Sequence, residues 1–191
     1  PQAYKELSGT GPLDEKVIKT EQSNTAIVYG QRLCLKLFRR MEPGENTDLE
    51  VGRFLNEETE FRQTPRVAGS LEYRSDRGGE PTTIAILQSY TENSGDAWSY
   101  TLDSIGRYFE RILSEHASPE KLIKATPSEN PLELARKPPS QLAVDLIGAY
   151  LADAELPGRR PATMHLALAS PNDIRAFRPH PVTPHYRPPP L

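Results

Sequence analysis

The chain has 191 residues and a mass of 21.4 kDa, enough for one ordinary domain or two small ones with a real core. Its formal charge of -3 provides no basic excess for phosphate backbones or anionic lipid, which disfavours nucleic-acid and membrane-surface roles. A single cysteine, Cys34, excludes an internal disulfide and a multi-cysteine metal cage. No run reaches the roughly 18 apolar residues that span a bilayer, so we expect a soluble, cytoplasmic protein without membrane contact.

The first half of the chain has the pattern of a small antiparallel sheet interrupted by one helix. Short apolar or β-branched runs predict strands at residues 15–20, 24–30, 32–38, 66–73 and 82–90. Gly30 and Gln31 join the second and third runs with the spacing of a tight hairpin. Apolar residues at helical spacing predict a helix over 47–61, opened by a capping box of Thr47 and Glu50. The predicted order is therefore βββαββ.

The second half of the chain is predicted to form helices joined by proline-rich connections. The clearest amphipathic helix is predicted over 100–116, and a Pro-rich connection follows. A further helix is predicted to start at the cap residue Ser140 and to end at Pro157 and Gly158.

A last helical piece is predicted over 161–170, with Pro161 in its first turn. Beyond it, too little apolar content remains for packing, and we expect a disordered or extended tail. The predicted organisation is a small α+β domain, a helical region and a proline-rich tail, at residues 1–95, 96–170 and 171–191.

A five-stranded sheet with one helix between its third and fourth strands is the layout of a protein-kinase small lobe. In the string LCLKLF, a period of two places the three leucines on one face and Cys34, Lys36 and Phe38 on the other. Kinases use a lysine of the third strand to hold nucleotide phosphates, and a glutamate of the next helix pairs with it. Lys36 and Glu50 occupy those places. Two simpler interpretations stay open: Lys36 as a solvated strand residue, and Glu50 as a capping residue only.

Longer strings resemble one family of small-molecule kinases. EQSNTAIVYG, LCLKLFRRMEPGENTDLEVGRFLNE, GDAWSYTLD and MHLALAS resemble the maltokinases, especially those fused to the C-terminus of trehalose synthases. The resemblance runs from about residue 5 to residue 185. It implies a protein-kinase-like, two-lobed fold that transfers the γ-phosphate of ATP, with Mg²⁺, to the anomeric hydroxyl of maltose. The implied partners are ATP and, in a full-length parent chain, maltose and a trehalose synthase domain.

The resemblance also assigns site residues. It places the ATP-binding groups on the phosphate loop, the strand lysine, the helix glutamate and the adenine-binding hinge: Gln22, Ser23, Asn24 and Thr25; Lys36; Glu50; and Gln88, Ser89 and Tyr90. Asp96 and Trp98 are candidates for the sugar side of the site. Lys36 and the loop are expected to stabilise phosphate charge.

The sequence departs from the family in its catalytic segment. Neither a string like HGDxHLGQ nor a DFE-type metal aspartate occurs, and Asp173 is the only acidic residue after Glu155. We therefore expect an incomplete fragment of the enzyme, with the small lobe and the start of the large lobe, that is inactive alone and has no catalytic residue or metal ligand of its own. Two alternatives remain: a non-catalytic docking or regulatory module of a trehalose synthase fusion, or another kinase of the aminoglycoside phosphotransferase group.

Overall fold

The computed structural model describes residues 2–18, 24–76, 78–114, 129–170 and 173–179. Over these ranges the chain is α+β, with six α-helices, one five-stranded antiparallel sheet and a short 3₁₀ helix. The strands are β1 Glu15–Ile18, β2 Asn24–Tyr29, β3 Leu33–Phe38, β4 Val67–Tyr73 and β5 Thr82–Ser89. The helices are α1 Gln2–Ser8, α2 Thr47–Glu57, α3 Ala97–Ser114, α4 Pro131–Leu134, α5 Gln141–Ile147 and α6 Tyr150–Leu168, and the 3₁₀ helix is Arg175–Phe177.

The sheet has the strand order β1-β2-β3-β5-β4, and every pair of neighbours is antiparallel. The tight turn between β2 and β3 holds Gly30 and Gln31 at φ of 53° each, as the hairpin prediction requires. The five predicted strands and the helix between the third and fourth of them are confirmed. The end of the first predicted strand, at 19–20, lies outside the described residues.

Helix α2 begins at Thr47, but its cap differs from the prediction. The N-cap is Asn46, whose side-chain oxygen accepts a hydrogen bond from the Asp48 N–H at 2.9 Å. The predicted capping box, with Thr47 as the cap and Glu50 three residues later, is therefore wrong. The cap lies one residue earlier, because Asn46 is itself a strong capping residue. The helix buries Leu49 against the sheet, where it meets Phe38 and Ile86. This packing sets α2 on the Phe38 face of β3.

The helices of the second half differ from the prediction at their breaks. Ser140 does cap α5, since its hydroxyl accepts from the Ala143 N–H at 3.3 Å. That helix ends at Gly148, however, and α6 then runs through Pro157 and Pro161 without a break. Gly148 has a φ of 67°, which stops a helix at once. A proline removes its own N–H from the ladder and its ring crowds the carbonyl four residues earlier, so the helix continues past both prolines at a cost in stability.

The chain divides into two compact units, Pro1–Glu92 with Pro161–Leu191, and Asn93–Arg160. Within the first unit, the ring of Phe177 stacks on Phe54 of α2, with 3.8 Å between centroids. The sequence did not predict this contact, because it expected no packing beyond residue 170; residues 171–172 and 180–191 lie outside the described part. None of the described helices combines the length and the apolar content that crossing a membrane requires.

Candidate functional site

Lys36 lies near the middle of the sheet, on the face that α2 covers. Its neighbours across β2 and β5 are Ala26 and Ile86, which are 8% and 2% exposed. The lysine side chain itself is 31% exposed, so its ammonium reaches the edge of a largely apolar surface. The ring of Phe38 lies 5.7 Å from the ammonium, within cation-π range. These neighbours surround the aliphatic part of the Lys36 side chain and leave its amine accessible.

The carboxylate partner of Lys36 is Asp48, in the first turn of α2. The sequence analysis expected Glu50 in this role, and the structure corrects that expectation. Both acids lie in the first turn of α2, and Asp48 is the one whose carboxylate reaches the ammonium. Glu50 is half-buried one half-turn further on. A carboxylate in a first helical turn is also favoured by the helix dipole.

The expected phosphate loop is only partly described. Gln22 and Ser23 lie outside the described residues. Asn24 and Thr25 are the first two residues of β2 rather than loop residues. Their register separates them: Asn24 pairs with Phe38 and shares the Lys36 face, whereas Thr25 pairs with Leu37 and lies on the opposite face.

A second cation, Arg39, lies where β3 ends and β2 begins. Arg39 directly follows β3 and donates from its Nη2 to the carbonyl oxygen of Asn24 at 3.3 Å. The end of β3 is thereby joined to the start of β2, next to the place where the chain enters from residues 19–23. The sequence analysis did not single out Arg39, although the LKLFRR string contains it.

The expected hinge residues follow one another at the end of β5. Gln88 pairs with Cys34 and so lies on the Lys36 face of the sheet. The N–H of Ser89 donates to the carbonyl of Arg66, and the N–H of Tyr90 donates to the carbonyl of Arg32, both at 2.8 Å. Both amides are therefore already used within the sheet.

The thiol of Cys34 shares the face of Lys36, two residues away along β3. Burial raises the pKa of the Cys34 thiol, and the positive charge of Lys36 opposes that rise. The residue is half-buried, as suits a cysteine that packs as a small apolar side chain.

The two sugar-side candidates belong to the second unit and are described there by themselves. Asp96 accepts hydrogen bonds from the N–H and the hydroxyl of Ser99, at 2.8 and 3.0 Å, and so caps α3. These bonds lower the pKa of the Asp96 carboxyl, the backbone one most. Trp98 is 72% exposed in the first turn of α3. Asp96 has a sufficient structural role as a cap, and Trp98 is accessible.

Taken together, the first unit places an accessible amine and a paired carboxylate on the sheet face that α2 covers, and Arg39 follows the end of the same strand. Such an arrangement can hold an anionic group such as a phosphate through charge and hydrogen bonds. Over the described ranges, no group of three or more histidine, cysteine, aspartate or glutamate side chains is arranged to hold a metal ion. No protein-family model matches the chain.

Proposed function

We propose that the chain is the nucleotide-binding part of a maltokinase-like phosphotransferase, in which Lys36 holds the phosphates of ATP. The observation that carries the proposal is the ion pair of Lys36 with a carboxylate in the first turn of α2. A lysine of the third strand, paired with an acid of the following helix, is the arrangement that kinases use to position a triphosphate.

The topology of the sheet supports the same proposal. One helix, α2, stands between the third and fourth of five antiparallel strands, as in a kinase small lobe. Helix α2 packs on the face that carries Lys36, so the acid and the amine meet without a rearrangement of the sheet. The acid differs from the kinase pattern in kind and position, since Asp48 takes the place expected for Glu50.

Within the proposal, the residues of this chain bind and orient the nucleotide rather than make or break bonds. Lys36 supplies a positive charge to the phosphates, and Asp48 keeps the ammonium in place. Mg²⁺ would neutralise phosphate charge when bound with ATP. The chain has no string like HGDxHLGQ and no DFE aspartate. We therefore propose nucleotide binding without phosphate transfer by this chain alone.

The identity of the sugar rests on the resemblance of the strings around Lys36, α2 and α3 to maltokinases. In the proposal, maltose is the acceptor and maltose 1-phosphate the product of a full-length parent enzyme, which also carries a trehalose synthase domain. None of these partners is needed to test the nucleotide site itself.

The direct test is calorimetry of the full chain with ATP and Mg²⁺, compared with the Lys36→Ala variant. Removal of a hydrogen-bonded charge costs about 1.5 to 3 kcal/mol, so we expect the variant to bind at least about tenfold more weakly. The matched control is Lys137→Ala, because Lys137 is also an ion-paired lysine, bound to Glu129 at 2.7 Å in the second unit. Equal heats for the chain and for Lys36→Ala would remove the nucleotide site.

A second measurement tests the absence of transfer. Radiolabelled ATP, incubated with the chain and maltose, should give no labelled sugar phosphate above a protein-free control. Formation of maltose 1-phosphate would contradict this part of the proposal and would require catalytic groups other than those of the family.

A further inference from the structure

A pocket lies on the sheet face opposite Lys36 and has a volume of about 530 Å³. Its floor is one row of residues across three strands, in which Leu35 of β3 pairs with Leu87 of β5, and Leu87 pairs with Gly69 of β4. Side chains alternate along a strand, so this row faces away from Lys36. Gly69 contributes no side chain and lies at an irregularity in the β4 register. The row is therefore apolar and hollow at its β4 end.

The pocket stays open because helix α1, which contributes to its lining, does not fill it. Helix α1 places Tyr4 at the rim, but none of its residues is buried. The helix is held instead by polar contacts: Glu6 pairs with Arg66 at 2.9 Å, and the Ser8 carbonyl accepts from Arg32 at 3.3 Å. A helix tethered in this way leaves the leucine floor without a covering side chain.

One charged side chain lines the pocket among the described residues, that of Arg53, which belongs to α2 on the Lys36 face and meets the pocket at the edge strand β4. It donates to the hydroxyl of Ser70 at 3.1 Å and pairs with Glu45 at 2.8 Å. Both partners of that ion pair are exposed, at 40% and 46%, so the pair is weak and screened by water. A guanidinium has five N–H donors, and these two contacts leave donors for a further anionic group.

We propose that this pocket binds an apolar small molecule with one acidic end, such as an aromatic or medium-chain carboxylate, in which the acid meets Arg53. The volume lies in the range of roughly 300 to 1,000 Å³ typical of small-molecule sites. A sugar phosphate or a nucleotide does not suit the leucine floor, because its hydroxyl groups would lose water without gaining hydrogen bonds. The site is separate from the proposed nucleotide site and does not depend on it.

The test uses two fluorescent probes of similar shape, the anionic 1-anilinonaphthalene-8-sulfonate and the neutral N-phenyl-1-naphthylamine. Both should bind the full chain with one site each. Gly69→Leu fills the hollow end of the floor, and we expect it to weaken both probes at least about tenfold. Arg53→Gln removes the positive charge and the guanidinium donors but keeps a polar side chain, so it should weaken the anionic probe about three- to tenfold and leave the neutral one unchanged.

Two further variants keep the test decisive. Phe109→Ser removes an exposed apolar ring from α3 and should change neither probe, which separates the pocket from general surface binding. Where circular dichroism shows that Gly69→Leu does not fold, Tyr4→Ser at the exposed rim takes its place, and it should weaken both probes. Unchanged binding of both probes in Gly69→Leu, or in Tyr4→Ser where that variant replaces it, overturns the proposal, and so does a loss of binding in Phe109→Ser. An equal effect of Arg53→Gln on both probes would contradict the proposal that the acidic end of the ligand meets Arg53.

Discussion

The ammonium of Lys36 and the carboxylate of Asp48 form an ion pair that joins β3 to the first turn of α2. The lysine is 31% exposed and the aspartate 54% exposed, so water screens the pair. Exposed pairs are worth about 0.2 to 1 kcal/mol, which is too little to hold an amine against a strong multivalent anion. Asp48 thus orients the ammonium of Lys36 and leaves it accessible to solvent.

The first prediction separates Asp48 from Glu50 as the residue that positions Lys36. We expect Asp48→Asn to weaken ATP binding about 1.5- to fivefold, the equivalent of an exposed ion pair. Loss of a negative charge by itself would strengthen the binding of anionic ATP, so a fall identifies positioning. Glu50→Gln removes the same charge and should not weaken binding. Calorimetry of both variants with ATP and Mg²⁺ checks the prediction, and a fall in Glu50→Gln alone would restore the original pairing.

The strands of the sheet could be predicted from the sequence, because their signals are local. A period of two in LCLKLF and two turn residues in succession fix β2, β3 and the hairpin between them, without knowledge of distant residues. The face of Lys36 followed from the same alternation. Packing of α2 on that face was implied only by the apolar stripe of the helix.

The partner of Lys36 could not be predicted in the same way. The string DLE offers two carboxylates in the first turn of α2, and only the packing of the helix on the sheet decides which of them reaches the lysine. The cap could not be predicted with certainty either, since Asn46 and Thr47 are both capping residues and stand side by side. A proline is likewise only a local signal, and α6 shows that it does not settle where a helix ends.

The second prediction concerns the contact between Phe177 and Phe54. Phe54 is 3% exposed, and the stacked ring of Phe177 covers it. We expect Phe177→Ala to lower the free energy of unfolding by about 1 to 3 kcal/mol, from lost apolar burial and lost ring contact. Urea denaturation of the full chain measures this free energy of unfolding. The control, Phe109→Ala, replaces a ring that is 57% exposed and should change stability by less than about 0.5 kcal/mol. Equal effects of the two variants would contradict the contact.

The third prediction uses Cys34, the chain's only cysteine, to report on Lys36. Burial raises the pKa of the Cys34 thiol because it disfavours the thiolate, and the ammonium of Lys36 lowers it because it favours the thiolate. Lys36→Ala should therefore raise the thiol pKa further and slow alkylation by iodoacetamide at pH 8. The pH dependence of the alkylation rate gives the measurement. Lys137→Ala is the control, and an unchanged pH midpoint in Lys36→Ala would place the amine away from the thiol.

The fourth prediction concerns two glycines of the second unit that respond in opposite directions. Gly148 has φ 67° and ψ -140°, a region that side chains avoid, so Gly148→Ala should destabilise the chain by about 1 to 3 kcal/mol. A Cβ there would also lie 2.8 Å from a nitrogen of Arg111, which caps α5 through the Leu146 carbonyl. Gly106 lies inside α3 with open space around its Cβ position, so Gly106→Ala should stabilise by about 0.5 to 1 kcal/mol. Urea midpoints that move in the same direction for both variants would contradict the break between α5 and α6.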